Sequence, residues 1–142
     1  MALSFRHLFA GLVGLLFAAC STKEPAPTPP SLEGKWLEQS LETNEYRADG
    51  SVLSLSGPVL NPNRVLHTIT ASLVSVQNPV TVTLYDYTRT GDELTFYPRS
   101  QVFNVPFKQS IVELSASALV LQARREQVSG GNLLYRFHFV RQ

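Results

Sequence analysis

Thr81-Val82-Thr83-Leu84-Tyr85-Asp86-Tyr87-Thr88-Arg89, then the turn pair Gly91-Asp92, then Glu93-Leu94-Thr95-Phe96-Tyr97 decide the fold class. Side chains of a strand alternate between two faces. Here β-branched and aromatic residues recur with period two on both sides of a pair suited to a tight reversal. The stretch predicts a β-hairpin, and the same pattern runs outward from it in both directions. Ala118 to Glu126 alternates Leu119, Leu121 and Ala123 against Val120, Gln122 and Arg124. Gly130-Gly131 offers a turn, and Leu133 to Arg141 alternates Leu133, Tyr135, Phe137 and Phe139 against Leu134, Arg136, His138 and Val140. Further candidate strands are Lys35–Ser40, Glu45–Ala48, Ser51–Ser56, Val65–Val76 and Ile111–Ser115, with Asp49-Gly50 as a hairpin turn. Pro58–Asn63 and Pro98–Ser110 read as loops. No segment reads as a capped amphipathic helix.

Such a chain is all-β. About eight short antiparallel strands fit either a sandwich, which must protect its edges, or a closed barrel, which has none. Short sequential turns favour a small antiparallel meander β-barrel. Parity then places Leu53, Leu55, Ile69, Leu73, Val82, Leu84, Leu94, Phe96, Leu119, Leu121, Tyr135, Phe137 and Phe139 on the inward face. An eight-stranded barrel either fills its interior with side chains or holds one small ligand.

The N-terminal end has a different character. Leu8 to Ala19 is apolar apart from glycine, behind Arg6 as the sure positive charge, and ends at Cys20, the single cysteine. A basic start, a short apolar run and small residues at its end describe a signal peptide, too short for a membrane span. Leu16-Phe17-Ala18-Ala19-Cys20 resembles the cleavage box of bacterial lipoproteins, which implies cleavage after residue 19 and acylation of Cys20. The expected organisation is a signal peptide over 1–19, a lipidated N-terminus and Pro-rich linker over 20–31, and a barrel domain over 32–142. Pro25, Pro27, Pro29 and Pro30 make the linker an extended spacer. Ser21 in place of aspartate is compatible with outer-membrane sorting. The expected location is the bacterial cell envelope, lipid-anchored, on the periplasmic face of the outer membrane.

Composition excludes several classes. The whole chain has twelve Lys+Arg against eleven Asp+Glu, so no basic footprint for nucleic acid exists. With its one cysteine acylated, the chain forms no internal disulfide. No Gly-x-Ser-x-Gly elbow, free Cys–His pair or glycine-rich phosphate loop occurs, so no catalytic residues are assigned and no cofactor is expected.

Leu32-Glu33-Gly34-Lys35-Trp36 resembles the Gly-x-Trp signature that opens lipocalins. Tyr87-x-x-x-Gly91-Asp92-x-Leu94-Thr95 and Ile111-Val112-Glu113-Leu114-Ser115-x-x-x-Leu119-Val120-Leu121, with the final Phe139-Val140-Arg141, are similar to bacterial lipocalin-like lipoproteins. The resemblance spans most of the domain but lacks the lipocalin disulfide and a clear C-terminal helix. It implies a small apolar or amphipathic ligand in the barrel, and Trp36 packed beneath Arg141 at the closed end.

Among candidate site residues, Asp86 shares parity with Val82 and Leu84. Facing inward it would be a polar anchor for a ligand; at a strand end it would reach water. His67 and His138 lack the third and fourth ligands of a metal site, so no metal is expected. His67, Tyr135 and Phe137 are candidate ligand contacts. Tyr85, Tyr87 and Tyr97 share outward parity, as cross-strand pairs or an exposed aromatic patch. Two functions remain open: a non-catalytic binding lipoprotein, and a solid-barrel subunit docking on an envelope protein. A hollow or a filled interior separates them.

Overall fold

The structure, a computed structural model, describes residues 28–100, 102 and 104–142. The expected signal peptide, Cys20 and most of the linker lie outside the described residues. The described chain forms nine strands: β1 Gly34–Tyr46, β2 Val52–Leu60, β3 Leu66–Ile69, β4 Leu73–Gln77, β5 Val82–Thr90, β6 Glu93–Pro98, β7 Phe107–Leu114, β8 Ala118–Glu126 and β9 Asn132–Arg141. All pairings are antiparallel. β3 to β9 follow one another around the sheet, and β1 pairs with both β3 and β9. This closes an eight-stranded barrel from β1 and β3 to β9.

β2 stands outside that ring. β9 occupies one edge of β1 from Trp36 to Tyr46. Along the other edge, β3 takes Gly34–Leu37 and β2 takes Ser40–Tyr46. β2 and β3 are thus two halves of one return strand, separated by Asn61-Pro62-Asn63-Arg64-Val65. Proline lacks an N–H for the ladder, and Arg64 takes a positive φ of 47°. The meander survives, with its second strand broken and β1–β2 projecting from the barrel as a hairpin.

Three sequence expectations change in detail. Lys35–Ser40 and Glu45-Tyr46 belong to one strand, because pairing with β9 continues through a bulge near Gln39, while Arg47 and Ala48 fall in the turn beyond it. Val65–Val76 is two strands, because Thr70 Oγ1 and backbone hold a turn onto Leu73. Strand β2 runs through Pro58 and β7 begins at Phe107, inside stretches that read as loops; β2 tolerates proline because its outer edge needs no donor.

The core gathers Leu32, Trp36, Ile69, Val74, Leu94, Phe96, Leu119, Leu121 and Phe139. Each such side chain stabilises by about 1.5–3 kcal/mol before entropy is deducted. Five of the inward assignments are reversed, and four of these, Leu53, Leu55, Val82 and Leu84, are exposed. Leu53 and Leu55 lie on β2, beyond the barrel, where no opposite wall covers them. On β5 the phase is the other one: Tyr85 and Tyr87 pack on the core while Val82, 59% exposed, faces out. Burying two tyrosines covers more apolar area than burying Val82 and Leu84, and it spares Asp86 from burial. Leu73 likewise yields the interior to Val74 and Val76, because the turn at 70–72 makes Val74 the cross-strand partner of Ile69.

Candidate functional site

The barrel has a closed and an open end. At the closed end, the chain enters through Leu32, which is buried in the core. Trp36 is fully buried and its Nε1 donates to the Leu32 carbonyl at 2.8 Å. The Arg141 guanidinium lies 4.4 Å from the indole centroid. Its Nη1 donates to Glu33 O at 3.1 Å and its Nη2 to Ser31 O. The entering segment is therefore strapped across the barrel bottom by the last strand. Gly34 makes this possible. It has a φ of +144°, and a Cβ there would meet Arg141 Nη1 at 2.8 Å.

The open end lies opposite, where β4 meets β5, β6 meets β7, and β2 meets β3. A pocket of about 840 Å3 spans this rim, lined by Val82, Leu84, Tyr85, Arg99, Val105 and Phe107 among others. Val80, Val102 and Val105 are strongly exposed around it. Farther in is a cavity of about 190 Å3, lined by Glu38, Val65, His67, Val74, Val76, Tyr85, Phe96, Phe107 and Gln109. The two share Tyr85 and Phe107. A third groove of about 270 Å3 under the β1–β2 hairpin shares Glu38 with the inner cavity. The rim pocket is larger than the inner cavity, yet it is the inner cavity that lies against core side chains such as Val74 and Phe96.

The cavity wall has an aromatic side and a polar corner. Phe96 and Phe107 stack at 5.1 Å, and Tyr85 sits edge-on to them at 6.2 and 5.6 Å. In the corner, Glu38 is only 9% exposed. Its Oε1 accepts from Asn61 Nδ2 at 2.7 Å, and its Oε2 lies 3.7 Å from His67 Nε2. The His67 ring is braced edge-on against Phe139 at 4.7 Å.

Of the candidate residues read from the sequence, His67 lines the cavity. Asp86 does not: it is half-exposed on the outer face, held by Arg99 through Nε at 2.9 Å and Nη2 at 2.6 Å. That pairing keeps its carboxyl below the usual value of 3.8. Phe137 packs against the core cluster. Tyr135 pairs with Thr43 and Ala123 where β1 borders β2 rather than β3, beyond the ring. Tyr97 faces out, half-exposed, while Tyr85 and Tyr87 turn inward. Tyr87 Oη donates to the Thr70 carbonyl at 2.8 Å, and burial raises its pKa above 10. Glu38 was missed from the sequence. Its only signal is parity with Trp36, and strand parity is weak evidence for burying a charge.

No protein-family model and no curated protein sequence matches the chain. Solved structures do resemble it. Apocrustacyanin C2 superposes with a TM-score of 0.52 at 11% identity, over 83% of this chain and 64% of that one. A lipocalin-like protein from Bacteroides uniformis superposes at 0.43 with 18% identity, over 74% of this chain and 96% of that one. The fold is lipocalin-like. An uncharacterized protein from Bacteroides eggerthii aligns at 0.45 and 13% identity, over 79% and 100% of the two chains. The eight-stranded closure and the apocrustacyanin likeness carry this statement, and it concerns the lipocalin-like fold alone.

Proposed function

We propose that this lipocalin-like chain is a non-catalytic envelope lipoprotein, acylated at Cys20, that binds a small apolar or amphipathic molecule through the open end of its barrel. The observation that carries the binding reading is the inner cavity of about 190 Å3 beside an apolar rim pocket with which it shares Tyr85 and Phe107. Ligand sites are concave and mostly apolar with a few fixed polar groups, and Glu38 and His67 are those groups here. The anchor rests on the sequence before Cys20. Because the chain enters the barrel at the closed end, the linker meets the domain on the side away from the mouth. Ser21 supports outer-membrane sorting, with the domain on the periplasmic side.

Saturable binding of the apolar fluorophore N-phenyl-1-naphthylamine tests the cavity. Val76→Phe, which fills the cavity wall, should weaken it at least tenfold with the circular dichroism unchanged. Cys20→Ala should move the protein from membrane to soluble fractions. A fluorophore that does not bind, or binds equally well to Val76→Phe, removes the cavity reading. An unmodified cysteine on an intact N-terminus in mass spectra removes the anchor.

One observation favours a second reading, a subunit docking on an envelope protein. Among the described residues β2 pairs only with β1, and it exposes Val52, Leu53, Leu55, Val59 and Leu60. An uncharged apolar edge is a template for strand addition.

A further inference from the structure

The chemistry of the inner cavity restricts the class of ligand beyond the proposed binding function, on which this inference rests. Among the described residues the cavity is lined by one acid, Glu38, and by no Lys or Arg. Its Oε1 takes the Asn61 amide, while among the described residues no hydrogen bond reaches Oε2, which stands 3.7 Å from His67 Nε2. A carboxylate so nearly buried is costly unless a cation or donor meets it. The rest of the wall is Val65, Val74 and Val76 with the rings of Tyr85, Phe96 and Phe107. Aromatic rings attract cations, most strongly where water is excluded.

We infer that the cavity is an ammonium site, taking a small apolar amine with its N–H groups on Glu38 Oε2 and its apolar body against Phe96, Phe107 and Val76. An ammonium brings three donors and the charge the corner lacks. A ligand carboxylate would face Glu38 as a like charge in a poorly hydrated space and is rejected. A neutral alcohol can satisfy Oε2 but gains neither the Coulombic nor the ring attraction. Size sets the body. An engineered cavity of about 150 Å3 holds a benzene ring, so about 190 Å3 takes one ring or a short branched chain. A longer body would project past Tyr85 and Phe107, which line the rim pocket as well as the cavity.

Three matched compounds test the assignment on the full chain in phosphatidylcholine nanodiscs, with empty nanodiscs as the blank: 4-phenylbutylamine, 4-phenylbutanol and 4-phenylbutyrate. Calorimetry should show the amine binding at least tenfold tighter than the alcohol, with the acid weakest. Glu38→Gln, which keeps the shape and the Asn61 contact, should bring amine and alcohol within about threefold of each other. An alcohol that binds as well as the amine overturns the ammonium assignment and leaves small-molecule binding standing. Binding by none of the three overturns the assignment, and a fluorophore that also fails takes the binding function with it. The ranking on the unmodified protein decides even if Glu38→Gln does not fold. If the variant folds and keeps the amine preference, Glu38 is not the anchor and the assignment falls.

Discussion

Trp36 and Arg141 are cross-strand partners at the junction of β1 and β9, and the Arg141 guanidinium covers the buried indole at 4.4 Å. The pair joins the two ends of the barrel domain, so one contact registers closure of the sheet and straps the entering chain over the barrel bottom.

Replacing Arg141 removes three interactions together. A partly desolvated guanidinium over an indole contributes about 0.5–2 kcal/mol, and each hydrogen bond to the Ser31 and Glu33 carbonyls about 0.5–1.5 kcal/mol. Arg141→Ala should cost about 2–4 kcal/mol in urea unfolding with an unchanged slope. Unaltered stability would show that the strap contributes nothing.

Gly34 is coupled to the same arginine. Gly34→Ala must strain a backbone at φ +144° and push Nη1 from 2.8 Å, at about 1–3 kcal/mol. Part of that cost is the clash, which disappears when Arg141 is already alanine. The double variant should therefore be less destabilised than the two single changes added together, by about 0.5 kcal/mol or more. Strict additivity in the cycle would mean that the backbone, not the arginine, requires glycine.

Glu42 gives the stability an acid limb. Asn44 Nδ2 donates to its Oε1 at 2.8 Å, Arg136 Nη1 lies 3.5 Å from the same oxygen, and His138 Nε2 lies 3.5 Å from Oε2. The Asn44 hydrogen bond first, then Arg136 and His138, hold the carboxyl below its usual 4.5 against the opposing effect of burial. The unfolded chain therefore takes up this proton at a higher pH than the folded one. The contribution is whole above the unfolded pKa and is lost as pH falls through the folded pKa. The stability difference between the parent and Glu42→Gln should shrink between about pH 6 and about pH 3. A difference that is flat or grows on acidification contradicts it.

The two faces of the barrel wall should answer differently to truncation. Leu119 is buried and Leu84 lies on the outside. Leu119→Ala should cost about 2–5 kcal/mol, while Leu84→Ser should stay within about 0.5 kcal/mol. Equal losses at both sites would put β5 in the opposite phase.

The strands themselves were readable because period-two alternation is a local property, and wherever one partner strand carried strong apolar residues the phase was readable too. Leu119, Leu121 and Phe139 face inward as alternation requires. β5 was ambiguous because both of its faces carry apolar residues: Val82 and Leu84 on one, Tyr85 and Tyr87 on the other. Its phase depends on what each face meets across the barrel, and there the aromatic cluster with Phe96 and Phe107 and the ion pair between Asp86 and Arg99 settle it. Asp86 was the acid the sequence brought forward, yet Glu38 is the acid that reaches the interior.

From the sequence alone follow an all-β class, the position of most of the strands, and an antiparallel meander, because side-chain alternation and turn residues act over a few positions. Which acid is buried, where the cavity lies, and how β2 leaves the ring followed only from the tertiary structure. Those features depend on contacts between residues far apart in the chain. Glu38 meets Asn61 and His67 only once β1 has paired with β3, and Leu53 and Leu55 remain exposed only because β1 outruns the barrel wall.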